Sequence, residues 1–155
     1  MITLKPLYQI FIRMVRKCQS LIGMPTLGAR AIIIDKDNKV LLVKHTYMQD
    51  WYLPGGGVKK GESIKTALFR ELQEEVGVTA LEEPVLFGIY HHVFLDVNDY
   101  PIIYVLKQFS QKKVSSYEIE DSGWFEYSQS TDMVSAGTKR RLMEYFEGRP
   151  KSDVW

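Results

Sequence analysis

Cysteine is nearly missing from this chain of 155 residues, and Cys18 is the single one. One cysteine excludes an internal disulfide and any multi-cysteine zinc ribbon. It fits a reducing, cytoplasmic setting. Gly-Lys pairs are absent, so the phosphate-binding pattern GxxxxGK followed by Ser or Thr cannot occur. No glycine spacing suits a dinucleotide fingerprint. No apolar run approaches the roughly 18 residues of a membrane span. Repeats and low-complexity tracts are absent as well. Charge is nearly balanced, with 20 Lys and Arg against 19 Asp and Glu, a net of +1. No specific nucleic-acid partner follows from that balance. The length suits one domain that buries about two-thirds of its unfolded surface.

What the chain does have is an acid cluster in an unfavourable place. Glu71, Glu74 and Glu75 crowd one stretch of a helix that Ser63 begins and Gly77 ends. Ile64, Ala67, Leu68, Leu72 and Val76 repeat at helical spacing and form its apolar stripe. Like charges three and four apart repel on a helix. Anions near a helix C-terminus also oppose the macrodipole. A bound hard cation removes both penalties, because carboxylate oxygens are what Mg²⁺ and Mn²⁺ prefer. Upstream, Gly55, Gly56 and Gly57 let main-chain groups approach a ligand closely.

The stretch from Gly56 to Val78 resembles the signature of the Nudix hydrolases. Gly56, Glu62, Arg70, Glu71, Leu72, Glu74, Glu75, Gly77 and Val78 match every fixed position. The resemblance implies an α/β fold, an α/β/α sandwich with a mixed β-sheet. It implies that Glu71 and Glu75 hold a divalent cation, with Glu74 as a further ligand or a base. Glu62 becomes a catalytic-site carboxylate, and Arg70 orients the catalytic glutamates. The implied reaction is hydrolysis of a phosphoanhydride in a nucleoside diphosphate linked to another group. A nucleotide-type small molecule is the expected substrate. Gly55 and Gly56 line its site, and Arg30 and Lys44 stand as phosphate-binding cations or as strand-edge charges. The acids in 117–121 are candidate bases or a solvated turn. The rival reading is a non-catalytic Nudix domain that binds a nucleotide or a partner. A calcium module is weak, because no EF-hand spacing occurs. The family's ADP-ribose proline is not found, since positions 92–95 are His, Val, Phe and Leu. Leu95 stands near where the dinucleoside-polyphosphate tyrosine is expected, and the cysteine quartet of NADH-type members is absent.

The remaining expectations are structural. Residues 4–22 read as an amphipathic helix, with Leu7, Ile10, Phe11, Met14, Cys18 and Leu21 on one face. Residues 1–25 are taken as an appendage and 26–155 as the Nudix domain. Residues 1–30 carry Lys5, Arg13, Arg16, Lys17 and Arg30 and no acid. The apolar face needs cover from the domain or a second subunit, and an anionic membrane is the less favoured cover. Strands are predicted at 29–34 and 40–43, around the turn 35–39, as one hairpin. A second hairpin pairs 85–95 with 102–109 through a turn at 96–101. A short strand at 124–127 and a helix at 138–146 close the chain. His91 and His92 point to opposite faces of a strand. Tyr47, Trp51 and Tyr52 are core or base-stacking aromatics, with Trp51 favoured for the core.

Overall fold

A computed structural model describes residues 4–21 and 23–155 of the chain. In chain order the elements are α1 (Leu4–Leu21), β1 (Thr26–Ile33), β2 (Val40–His45), β3 (Trp51–Tyr52), β4 (Gly55–Gly57) and α2 (Ile64–Val76). Then come β5 (Val78–Ala80), β6 (Val85–Ile89), β7 (His92–Phe94), β8 (Val97–Leu106) and β9 (Phe109–Gln111). The chain closes with β10 (Ile119–Phe125), α3 (Tyr127–Ser130) and α4 (Ala136–Phe146). The main sheet is mixed, in the order β4-β1-β8-β6, with β7 also pairing β8. β1 runs parallel to β8, placing Ala29 opposite Ile102, and antiparallel to β4, placing Ala29 opposite Gly56. A second sheet orders β10-β2-β3, and β5 pairs β9.

The apolar runs explain why β1, β2 and β8 are central. Strands buried on both faces read as continuous hydrophobic stretches. Ala31 and Ile33 of β1 face one core with Leu41, Val43, Tyr104 and the α2 residues Leu68, Leu72 and Val76. Ile32 faces the other with Leu42, Ile103, Tyr90 and Leu142 of α4. Helices therefore cover both faces of the mixed sheet. α2 sits on the side that carries the acids.

Three expectations need correction. The segments 29–34 and 40–43 do not form a hairpin. A lone bridge, Ile34 to Val40, joins them, and the strands then diverge into different sheets. Of the turn expected at 96–101, residues 97–101 are strand instead. The chain reverses at Leu95 and Asp96, both with positive φ (51° and 63°), and Phe94 pairs Val97. Positive φ at both central residues gives the mirror-image turn that matches strand twist. The turn-like residues Asn98, Asp99 and Pro101 fooled the composition signal. The helical stripe of α1 is also not buried by the domain. Leu7, Ile10, Phe11, Met14 and Leu21 are exposed, as are Arg13 and Lys17, while Ile12 is partly covered. Among the described side chains of α1, burial therefore marks out no single apolar face. Ile22, and the side chains of Lys5 and Arg16, lie outside the described residues. No helix among the described residues is long and apolar enough to cross a membrane.

Candidate active site

Both ends of α2 are fixed by its own sequence. Ser63 Oγ accepts from Thr66 N at 3.1 Å, and Gly77 closes the helix at φ 65°. Its N–H returns to Gln73 O at 3.2 Å. The glycine strand β4 lies directly against this helix. A methyl group at Gly56 would stand 2.5 Å from Glu71 Cδ, so that close approach requires glycine. Gly55 has φ 131°, and a side chain there would strike Ala29 O at 2.2 Å.

The acids divide into two sets. Glu75 is buried, and its Oε2 accepts from Gly55 N at 2.8 Å. Burial pushes its carboxyl up to about 7. The Gly55 N–H and the Arg30 charge oppose that rise, while Glu71 and Glu118 add to it. Glu62 is the opposite case. Arg70 Nε donates to its Oε1 at 2.7 Å and Nη2 to its Oε2 at 3.0 Å, a bidentate pair. Those bonds, with the Lys59 N–H at 2.9 Å, hold the Glu62 carboxyl down at about 2. Arg70 also donates to Glu71 Oε1 at 2.6 Å and to Gly57 O at 3.1 Å. Its Nη1 lies 3.4 Å from Glu74 Oε2, on a largely exposed side chain. Arg70 thus ties Glu62, Glu71 and Glu74 to the glycine strand.

These groups border a cavity of about 600 Å³, walled also by Lys59 and by residues 114–118. Glu62 is held to it through Arg70. Arg30 is not among the residues that line this cavity. Its Nη1 donates to Leu53 O at 3.0 Å and Gly55 O at 3.1 Å, stapling the loop that carries the glycines. Lys44 reaches Glu120 at 3.7 Å rather than the helix acids. His91 bonds Asn98 at 3.0 Å and His92 lies 3.8 Å from Asp99. Trp51 packs edge-on against Phe125. Sequence reasoning missed His45. It is buried between Tyr47 and Tyr52, with ring centres 5.2 and 5.7 Å away, and its Nδ1 has no hydrogen-bond partner among the described residues. Burial, then the Arg30 charge, lowers its pKa to about 4. Its place at the end of an apolar strand was the available signal.

Residues 24–146 match the NUDIX domain model. The chain belongs to this family. Its curated relatives include the RNA pyrophosphohydrolase of Actinobacillus pleuropneumoniae serotype 5b (strain L20), 41% identical over 57 residues, 37% of this chain and 28% of that one. The RNA pyrophosphohydrolase of Campylobacter jejuni (strain RM1221) is 49% identical over 45 residues, 28% of this chain and 29% of that one. The match thus spans less than a third of those relatives. Among solved structures, the MutT NUDIX hydrolase from Burkholderia pseudomallei is 27% identical, with TM-score 0.64, covering 77% of this chain and 96% of that one. The MutT protein from Methanosarcina mazei Go1 is 21% identical, with TM-score 0.71, covering 82% and 97%, and supports the fold alone. Nudix proteins are typically divalent-metal dependent. Among the described residues of this Nudix domain, no three His, Cys, Asp or Glu side chains converge as a finished cation cage. Glu71 is instead paired with Arg70 at 2.6 Å. The donor set nonetheless suits a hard cation. Glu71 lies against the Gly56 backbone, Glu75 is a buried carboxylate short of positive charge, and Glu74 lines the same cavity.

Proposed function

We propose that this Nudix domain is a metal-dependent pyrophosphohydrolase that cleaves a phosphoanhydride in a nucleoside diphosphate linked to another group. The observation that carries this reading is Glu75, a buried carboxylate pinned to Gly55 beside Glu71. Glu71, Glu75 and Glu74 would hold Mg²⁺ or Mn²⁺. When bound, the cation would neutralise charge on the phosphate oxygens and acidify water. The protein's own share is positioning. Arg70 keeps Glu71 and Glu62 in register with the glycine strand, and Arg30 keeps Gly55 where its N–H meets Glu75. Lys59 lines the cavity, and the β4 backbone lies against the Glu71 carboxyl. Two acids suit the role of base. Glu74 is exposed on the cavity wall, and Glu118 lines the same cavity. Glu120 is drawn to Lys44, and Asp121 accepts from Ser122 N at 2.8 Å. Glu118 is therefore the loop acid best placed.

Matches to RNA pyrophosphohydrolases over so short a stretch do not carry their substrate to this chain. A nucleotide-type small molecule stands as the substrate class. The exposed, unpaired Cys18 agrees with a reducing cytoplasm, where we place the protein. A phosphate-release screen over nucleoside triphosphates, dinucleoside polyphosphates, nucleotide sugars and triphosphorylated RNA, with Mg²⁺ and with Mn²⁺, tests the reading. Turnover of at least one class supports it. Tight nucleotide binding with no turnover on any of them would favour the non-catalytic alternative.

A further inference from the structure

Beside the catalytic cavity lies a second one, of about 490 Å³. Glu75 and Val114 belong to the walls of both. The second differs in chemistry. It is lined by the Trp124 indole, by Lys112 and Lys113, and by Asp121. Its size lies within the range of ligand pockets.

The local fold fixes these groups. Phe109 stacks on the indole, with ring centres 5.5 Å apart, and Trp124 Nε1 donates to Gln111 Oε1 at 3.2 Å. The ring therefore has one orientation. β9 pairs β5 so that Gln111 lies opposite Val78, and Lys112 N donates to Gly77 O at 3.0 Å. This pairing sets both lysines just past the end of α2, on the wall of the cavity that Glu75 also lines. Both are exposed, and no ion pair among the described residues engages them.

A cavity that offers a flat aromatic ring, two unpaired cations and a carboxylate acceptor matches one ligand chemistry well. A base stacks on indole, its amino edge donates to a carboxylate, and its phosphate meets the cations. We propose that this cavity holds a second nucleotide unit of the substrate. The group linked through the diphosphate is then itself a nucleotide. This rests on the first cavity being where the phosphoanhydride is cleaved. A single nucleoside triphosphate would place its phosphates at the acids and leave the two lysines facing no charge. A neutral sugar would use neither the ring platform nor the cations. The second unit arrives either as the next residue of a 5′-triphosphorylated oligonucleotide or across a polyphosphate bridge.

The test compares three substrates: a nucleoside triphosphate, a 5′-triphosphorylated dinucleotide and a dinucleoside tetraphosphate. The variants are Lys112→Ala/Lys113→Ala and Asp121→Asn, all at exposed positions. The double variant should lower kcat/KM by about 10-fold, through KM, for a two-nucleotide substrate and leave the nucleoside triphosphate unchanged. The two-nucleotide compound that suffers names the source. Asp121→Asn should weaken the same compound. Equal losses on all three substrates, or none on any, would overturn the proposal. Absence of turnover by the wild type would count against the catalytic reading instead. Equilibrium binding of the same three compounds in Ca²⁺ would then decide the second cavity by the same pattern.

Discussion

At the scale of single residues, the site depends on carboxylates held in different electrostatic states. Glu75→Gln should keep the fold and lower turnover by about 100-fold or more, the scale of a lost charge stabiliser. Circular dichroism and initial rates on one preparation check both halves. Gly56→Ala is a subtler probe. Gly56 has no positive φ, so alanine is allowed by the backbone, yet its methyl would stand 2.5 Å from Glu71 Cδ. Glu71 must move, and Mg²⁺ affinity measured by calorimetry should fall by about 10-fold or more. The titrating groups have opposite signs. The raised Glu75 makes the folded metal-free chain bind a proton more tightly than the unfolded one between pH 4.5 and about 7. Its contribution is full below 4.5 and is lost as pH rises through 7. His45, lowered from 6.5 to about 4, contributes above 6.5 and loses that contribution as pH falls towards 4. His45→Leu should flatten the loss of melting temperature between pH 6.5 and 4. An unchanged acid slope would show that His45 is not the group responsible.

At the scale of elements, α2 was legible because local chemistry dictates it. Ser63, Gly77 and the apolar stripe fix its ends and its buried face without help from the rest of the chain. The closing helix expected at 138–146 is found at 136–146, and of the expected pairing of 85–95 with 102–109 the part 85–89 against 102–105 is found, whereas the turn between them is not where composition put it. The sheet order was not legible. Ala29 to Ile34 reads as a strand, but nothing in those residues says that β1 pairs parallel with β8 rather than with β2. That choice is made by partners about 70 residues away. In the site, the motif acids could be placed from spacing, whereas the Arg30 staple and the His45 pocket depend on tertiary contacts. α1 has an apolar stripe in sequence, and the structure leaves those side chains exposed. Deleting residues 1–22 should therefore spare the chemical step while raising solubility or changing oligomeric state. Size-exclusion chromatography with a turnover assay reads both. Loss of turnover in a soluble truncation of unchanged size would show that α1 helps to build the site.

At the scale of the whole molecule, the face opposite the acids is closed by the last residues of the chain. Arg141 is fully buried, donates to Glu144 Oε1 at 2.7 Å and to Val154 O at 3.1 Å, and lies over the Tyr90 ring at 3.7 Å. Glu144 also accepts from Tyr90 Oη and Ser152 N, both at 3.0 Å. Trp155 packs against Gly137. Removing residues 151–155 orphans part of this buried network, at a cost of about 1–3 kcal/mol for each unsatisfied partner. Urea unfolding should show a lower midpoint, with metal affinity unchanged if the two faces are independent. The acid face answers to cation in the other direction. Mg²⁺ should raise the melting temperature by linkage. The most direct measurement is the rate of phosphoanhydride cleavage on the best substrate of the panel, in Mg²⁺ and in EDTA, for the wild type and for Glu71→Gln/Glu75→Gln. The expected result is turnover in Mg²⁺ by the wild type alone, abolished by EDTA. Full activity in EDTA, or in the double variant, would contradict the assignment of the α2 acids as the seat of the chemistry.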